Sequence, residues 1–259
     1  MREERVKAWQ IFRHSVRQVV GNLPGALRVS LVPVAIQVAV MLALAGVAGP
    51  TGGLLEPAAP DAGFVLGTIL ALVVVVATAL WIAVAWHRYV LLSEEPKGFV
   101  PAFHGDRIAA YLLRSLAYLV VLVVVAVVLS FVQSAIANAL SVSSVSAFMI
   151  LMLVIVLMPT LTVGLRLSSG LPGAAIGATG DFTAGWRATT GATGDIAGLA
   201  VILVLAQTAL QLVGFALSSA DLSILSFAWE VVTSWLVTMV GVSVLTTLYG
   251  HYVEGRTLV

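Results

Sequence analysis

Six long apolar runs limit what this chain can fold into. They cover residues 26–48, 64–86, 108–129, 147–165, 196–217 and 224–249, and each exceeds the ~18 residues needed to cross a hydrocarbon layer about 30 Å thick. In hydrocarbon every backbone N–H and C=O must be satisfied within the segment, so runs of this length are helical. Composition agrees: 60% of the 259 residues are hydrophobic and 10% charged, against about 25% charged in a soluble domain. The expected fold is all-α, a polytopic bundle of about six transmembrane helices over residues 23–259, with an amphipathic helix within residues 1–22. Pro33 and Pro159 fall inside runs and are expected to kink them.

Charge is distributed very unevenly between the two sides of such a bundle. The connections 49–63, 130–146 and 218–223 hold no Lys or Arg, and their charges are Glu56, Asp61 and Asp221. All 13 basic residues fall at the opposite ends of the runs or in the connections there. Because Lys and Arg concentrate on the cytoplasmic side, both termini are expected in the cytoplasm. The chain has no cysteine, which excludes disulfides and thiolate sites. Its basic residues are mostly Arg and it is rich in Ala, Gly and Val, a composition pointing to a bacterial inner membrane.

Over residues 3–20, Val6, Trp9, Phe12, Val16 and Val19 recur every three or four positions, with Arg5, Lys7, Arg13 and Arg17 largely between them. That is the pattern of a helix lying in the membrane interface with its basic face toward anionic headgroups. The alternatives are a soluble helix packed on the protein's own cytoplasmic loops, and a signal peptide, for which the charged region is too long.

The chain also carries an internal echo. Phe12-Arg13-His14-Ser15 precedes the first run and Trp186-Arg187-Ala188-Thr189 the fifth, followed by Gly25 and Gly198 respectively at the membrane entrance. Runs two and six leave the membrane with WHRYVLL and YGHYVEG. This reads as repeated out-and-back hairpins, or as chance similarity in apolar sequence. The stretch RLSSGLPGAAIGATGDFTAGWRATTG, residues 166–191, together with the six-helix layout, resembles uncharacterised bacterial membrane proteins related to the membrane domain fused to some glycerophosphodiester phosphodiesterases. The resemblance implies no catalysis here, because the soluble phosphodiesterase domain is missing.

Chemistry-bearing motifs are scarce. There is no P-loop, HExxH or GxSxG pattern, and no cofactor, metal, nucleic-acid partner or enzymatic activity is expected. His104 shares a loop with Glu94, Glu95 and Asp106; solvated charges are favoured there over a metal site. Gly52, Gly53 and the glycines of residues 170–198 read as flexible connections, and residues 167–180 as an interfacial stretch rather than a re-entrant one. Arg28, Arg114 and Arg166 stand at helix ends, where they can snorkel.

Glu230 is different, because it falls in the outer half of the last run. An acid near the middle of a spanning helix costs about 2.5–3.5 kcal/mol to insert. Counting from the short 218–223 connection places Gln211 level with Glu230, and Gln207 level with Thr233 and Ser234; Gln37 falls mid-helix in the first run. A buried polar cluster between the fifth and sixth runs, of Glu230, Gln211, Gln207 and Ser234 with Gln37, is expected, with a Glu230–Gln211 hydrogen bond. It acts either as structural glue or as a proton or solute site. The favoured function is a non-enzymatic accessory, assembly or regulatory component of the inner membrane, whose partners are the bilayer and a membrane protein or second copy of the chain. The alternative is a small transporter or channel using the Glu230 cluster.

Overall fold

The computed structural model describes residues 8–48, 62–178 and 182–258, so Arg5, Lys7, Glu56, Asp61, Gly52 and Gly53 lie outside the described residues. Helix α1 (Ala8–Val20) leads into α2 (Leu23–Ala48), and α3 (Ala62–Leu92) returns alongside it. Helix α4 (Gly105–Ala139) is followed by α5 (Val145–Leu151), a π-helical stretch Met152–Leu157 and α6 (Met158–Ser168). Two short helices, α7 (Leu171–Ile176) and α8 (Ala184–Ala188), lead to the hairpin of α9 (Thr193–Ser219) and α10 (Ser223–Leu248), which ends in a π turn, Tyr249–Val253. Six helical spans are long and apolar enough to cross a membrane. The chain is an all-α, multi-pass integral membrane protein, and the described residues contain no strand.

Helix α4 runs ten residues past the expected end at 129. Residues 130–139 hold neither Gly nor Pro, and Gln133 and Ala137 are buried on its inner face. The helix stops at Ser141, whose φ of 51° is left-handed, with Ser141 N–H on Asn138 O and Val142 N–H on Ala137 O. The α9–α10 turn repeats this pair of bonds with Asp221 at φ 56°. Both are Schellman-type stops built without glycine.

The two prolines behave differently. Pro33 is carried within a continuous α2. Pro159 stands in the first turn of α6, directly after the π-helical stretch. A proline removes one N–H and crowds the carbonyl four residues back. Widening the preceding turn, with Met158 N–H on Leu153 O, relieves that crowding without ending the span.

The core occupies one end of the bundle, the end that carries the basic residues. Val19, Ala26, Val29, Ile82, Trp86 and Met239 form one cluster. Tyr111, Tyr118, Leu167, Leu171 and Ala175 form a second, and Ile11, Leu199, Val244 and Leu248 a third. Toward the other end the hairpins expose Leu66, Val120, Phe131, Phe215 and Ile224. Apolar surface on that scale at spanning depth is covered by lipid or by another protein.

Three sequence expectations are corrected at the packed end. Helix α1 does not rest on its apolar stripe alone or on loops. It packs against α9 and α10 through Ile11, Ser15 and Val19, all fully buried, while Trp9 and Val20 are exposed beside Arg13 and Arg17. Ser15 Oγ donates to Ile11 O (2.8 Å) and lies 3.0 Å from Thr247 Oγ1, so a polar residue can occupy the inner face. Residues 171–175 do not lie open on the surface: α7 is buried against α3 and α4. The described glycines of 170–198 are not uniformly flexible joints. A Cβ on Gly185 would come within 2.5 Å of Ser169 Oγ and 2.6 Å of Gly170 N, and one on Gly173 within 3.1 Å of the Tyr249 ring. These two are close-approach positions.

Candidate polar cleft in the α9–α10 hairpin

Helices α9 and α10 meet tightly at the packed end, through Leu199, Val244 and Leu248 with Ile11. Toward the far turn they enclose an open cleft of about 350 Å³ lined by Gln207, Gln211, Gly214, Trp229, Glu230, Thr233 and Ser234. Trp229 forms its inner wall. Its Nε1–H donates to Leu210 O at 3.0 Å, and its ring edge lies 3.3 Å from where a Cβ on Gly214 would stand. Sequence reasoning missed both residues; the available signal was a glycine and a tryptophan at matching depth on the two arms of one hairpin.

Four of the five expected cluster residues, Glu230, Gln211, Gln207 and Ser234, therefore line one cleft. Gln37 does not join them. It is on α2, where Nε2 donates to Thr78 Oγ1 (2.8 Å) and approaches Val75 O (3.4 Å) on α3, fastening the first hairpin. The expected Glu230–Gln211 bond is not formed either. Trp229 fills the space between the helices at that level, and Glu230 and Gln211 stand exposed on the cleft, with no side-chain hydrogen bond for either among the described residues. Gln207 Oε1 is buried without a partner. Thr233 Oγ1 donates to Trp229 O at 2.8 Å and is occupied within its own helix.

The cleft is closed below. Toward the packed end its walls reach Val237 and Thr238, and beyond them Val244 and Leu248 are buried with Leu199 of α9. Glu230 is the eighth residue of α10, about 10 Å from the start of that helix at 1.5 Å per residue. Chemically, the site offers one carboxylate, two amides and a hydroxyl on the side of a membrane helix hairpin, with an apolar floor.

The basic-end candidates resolve into structural pairs. Glu94 bridges Arg88 (2.6 Å) and His104 (3.3 Å), and Asp106 pairs with Arg107 (2.9 Å). No group of three His, Cys, Asp or Glu placed to hold a metal occurs among the described residues. Arg166 does not snorkel. It is 9% exposed, donates to Thr189 Oγ1 and Trp186 O, each at 3.1 Å, and lies 3.7 Å from the Trp186 ring centroid. The α8 turn folds over it, so its charge meets carbonyl, hydroxyl and π density. Arg114 donates to Gly170 O at 3.3 Å, and Arg28 is exposed. No family model matches the chain, and neither does any curated protein or solved structure.

Proposed function

We propose that this protein is a non-enzymatic accessory or assembly component of a bacterial inner membrane, and that the α9–α10 cleft receives a transmembrane helix of a partner protein. The observation that carries this reading is Glu230: an ionisable side chain about 10 Å inside a spanning helix, on an open cleft, with no side-chain partner among the described residues. Such a group is costly in lipid and is normally covered by a complementary one. A partner helix presenting a hydroxyl, amide or cationic donor would satisfy Glu230, Gln211 and the orphaned Gln207 Oε1 together. The resemblance of residues 166–191 to membrane domains that accompany a separate catalytic domain is consistent with a supporting role.

Packing of Leu199, Val244 and Leu248 beyond the cleft argues against the alternative of a small transporter or channel. Site-specific crosslinking separates the two. The chain has no cysteine, so Ser234→Cys supplies a unique thiol. In native membranes the docking reading expects a short thiol crosslinker at 234 to trap one membrane protein, with the yield falling sharply in Glu230→Leu. If the thiol is instead labelled by impermeant reagents from both sides of the membrane, the cleft is an aqueous pathway and the docking reading is wrong.

A further inference from the structure

The connection between α3 and α4 turns back along the bundle instead of projecting away from it. Ser93, at φ 55°, reverses the chain after α3. The Arg88–Glu94–His104 bridge ties the two ends of the loop together. Its tip is pinned to α3 inside the span Ala62–Leu92: Trp81 Nε1–H donates to Ala102 O at 3.2 Å, and Phe103 packs edge-on against the Trp81 ring at 5.6 Å. A loop held at that depth presents Phe99, Val100 and Phe103, each more than 60% exposed. Three such side chains on one short loop within a spanning segment belong among acyl chains and headgroups.

Between this loop and the α2–α3 surface lies a cavity of about 510 Å³, within the range of small-molecule sites. Its floor is apolar, made by Val29, Ala85, Val100 and Ala102, and its rim carries Glu95, Lys97 and His104 with Glu94, whose carboxylate is taken up by Arg88 and His104. Glu95 and Lys97 are exposed and make no ion pair among the described residues. His104 Nδ1 is buried with no hydrogen-bond partner. An atom sealed in this way is out of reach of a ligand in the cavity, so His104 serves as wall rather than as a contact. The rim thus offers one free carboxylate for a cation, Glu95, beside one donor for an anion, Lys97.

We propose that this cavity binds a phospholipid with a primary-ammonium headgroup, an aminoethyl phosphate of the phosphatidylethanolamine type. The ammonium would lie against Glu95, the phosphate against Lys97, and the glycerol and first acyl carbons over the apolar floor beside Phe99 and Val100. A choline headgroup has no N–H to donate to the Glu95 carboxylate. An uncharged glycerol headgroup leaves the Glu95 carboxylate beside the phosphate with no cation between them. The cavity is at the opposite end of the bundle from the Glu230 cleft and is independent of its role.

Delipidated full-length protein in detergent tests this by native mass spectrometry, with phosphatidylethanolamine, phosphatidylcholine and phosphatidylglycerol of identical acyl chains. Phosphatidylethanolamine should be retained most strongly, and roughly tenfold more weakly in Glu95→Gln and in Lys97→Gln, the loss expected for one charge-assisted contact. Neither variant should change the melting temperature without lipid, since neither side chain has an internal partner. Equal retention of the three lipids, or unchanged retention by both variants, would overturn the site. Soluble glycerophosphoethanolamine should compete poorly; competition at the same concentration as the lipid would show that the headgroup alone is bound and refute the lipid assignment.

Discussion

At the scale of single residues, the packed end is held by hydroxyls that cross between helices. His87 is fully buried on α3, with Nδ1 2.9 Å from Thr246 Oγ1 and Nε2 3.3 Å from Tyr111 OH. Thr246 Oγ1–H is committed to Val242 O at 2.9 Å, so the threonine accepts from Nδ1–H, and Nε2 then accepts from the Tyr111 hydroxyl. One tautomer satisfies all three groups and ties α3 to both α4 and α10. Tyr111→Phe removes the donor and leaves Nε2 buried and unpaired; its expected cost is about 1–3 kcal/mol, read as a lower melting temperature in detergent. A melting temperature equal to wild type would mean that the hydroxyl is not bonded to His87. Glycines provide a second contrast. Gly185→Ala forces a Cβ against Ser169 Oγ and Gly170 N, whereas Gly241→Ala, with nothing within 4 Å, should gain up to about 1 kcal/mol of helix propensity. If Gly185→Ala proves as harmless as Gly241→Ala, residues 169, 170 and 185 are not packed as described.

Among elements, α1 changes role most between sequence and structure. Periodicity gave one apolar face, through Val6, Trp9, Phe12, Val16 and Val19, and passed over the face through Ile11, Ser15 and Val19. The structure buries the second, because Ser15 can satisfy its hydroxyl on Ile11 O and beside Thr247. A period count scores Ser15 as polar and outward and cannot see that partner 232 residues away. Helix α1 therefore joins the two ends of the chain, with Ser243 Oγ 3.0 Å from Ser15 O and 2.5 Å from Gln18 Oε1, and α2 adds a bond from Trp235 Nε1 to Ser30 Oγ at 2.8 Å. Ile11→Ala should cost about 2–4 kcal/mol, as for a buried aliphatic side chain elsewhere, while Trp9→Ala, at an exposed position, should cost little in detergent. The reverse order in thermal unfolding would restore the helix to a purely interfacial position on the Trp9 face. The echo between residues 12–15 and 186–189 acquires a local counterpart here: Ser15 and Thr189 are both fully buried and both donate to the carbonyl four residues back.

For the whole molecule, the spans were legible because hydrocarbon forces long apolar runs into helices, and every expected run lies within a helical span of the structure. What composition could not convey was where the bundle is closed. The runs are apolar on all sides, so no face is marked as inner, and the packing is decided by small contacts such as Gly25 against Tyr89 and by α1 and α7 wedged at the basic end. The cluster around Glu230 was legible in depth, because two helices joined by a short turn keep register. The width of its cleft was not, because that depends on Trp229 reaching the Leu210 carbonyl. The same geometry bears on orientation. The described Lys and Arg residues belong to the packed end, on α1, α8, the loop after α3, and the helix ends that meet there, while the far turn after α9 carries Asp221. By the bias that keeps Lys and Arg on the cytoplasmic side, the closed end is expected to face the cytoplasm and the cleft to open in the outer half of the membrane. A reporter fused after Val259 should then report cytoplasm, and one inserted beside Pro57, which lies outside the described residues, should report the opposite compartment. Moving charge should move the topology: adding three lysines around Pro57 while replacing Arg13, Arg17 and Arg28 with Gln should produce a mixed or inverted population. A cytoplasmic signal at Pro57 in the unaltered chain would contradict the six-span arrangement, and an unmoved signal in the charge-swapped chain would show that packing at the closed end, rather than charge, sets the orientation.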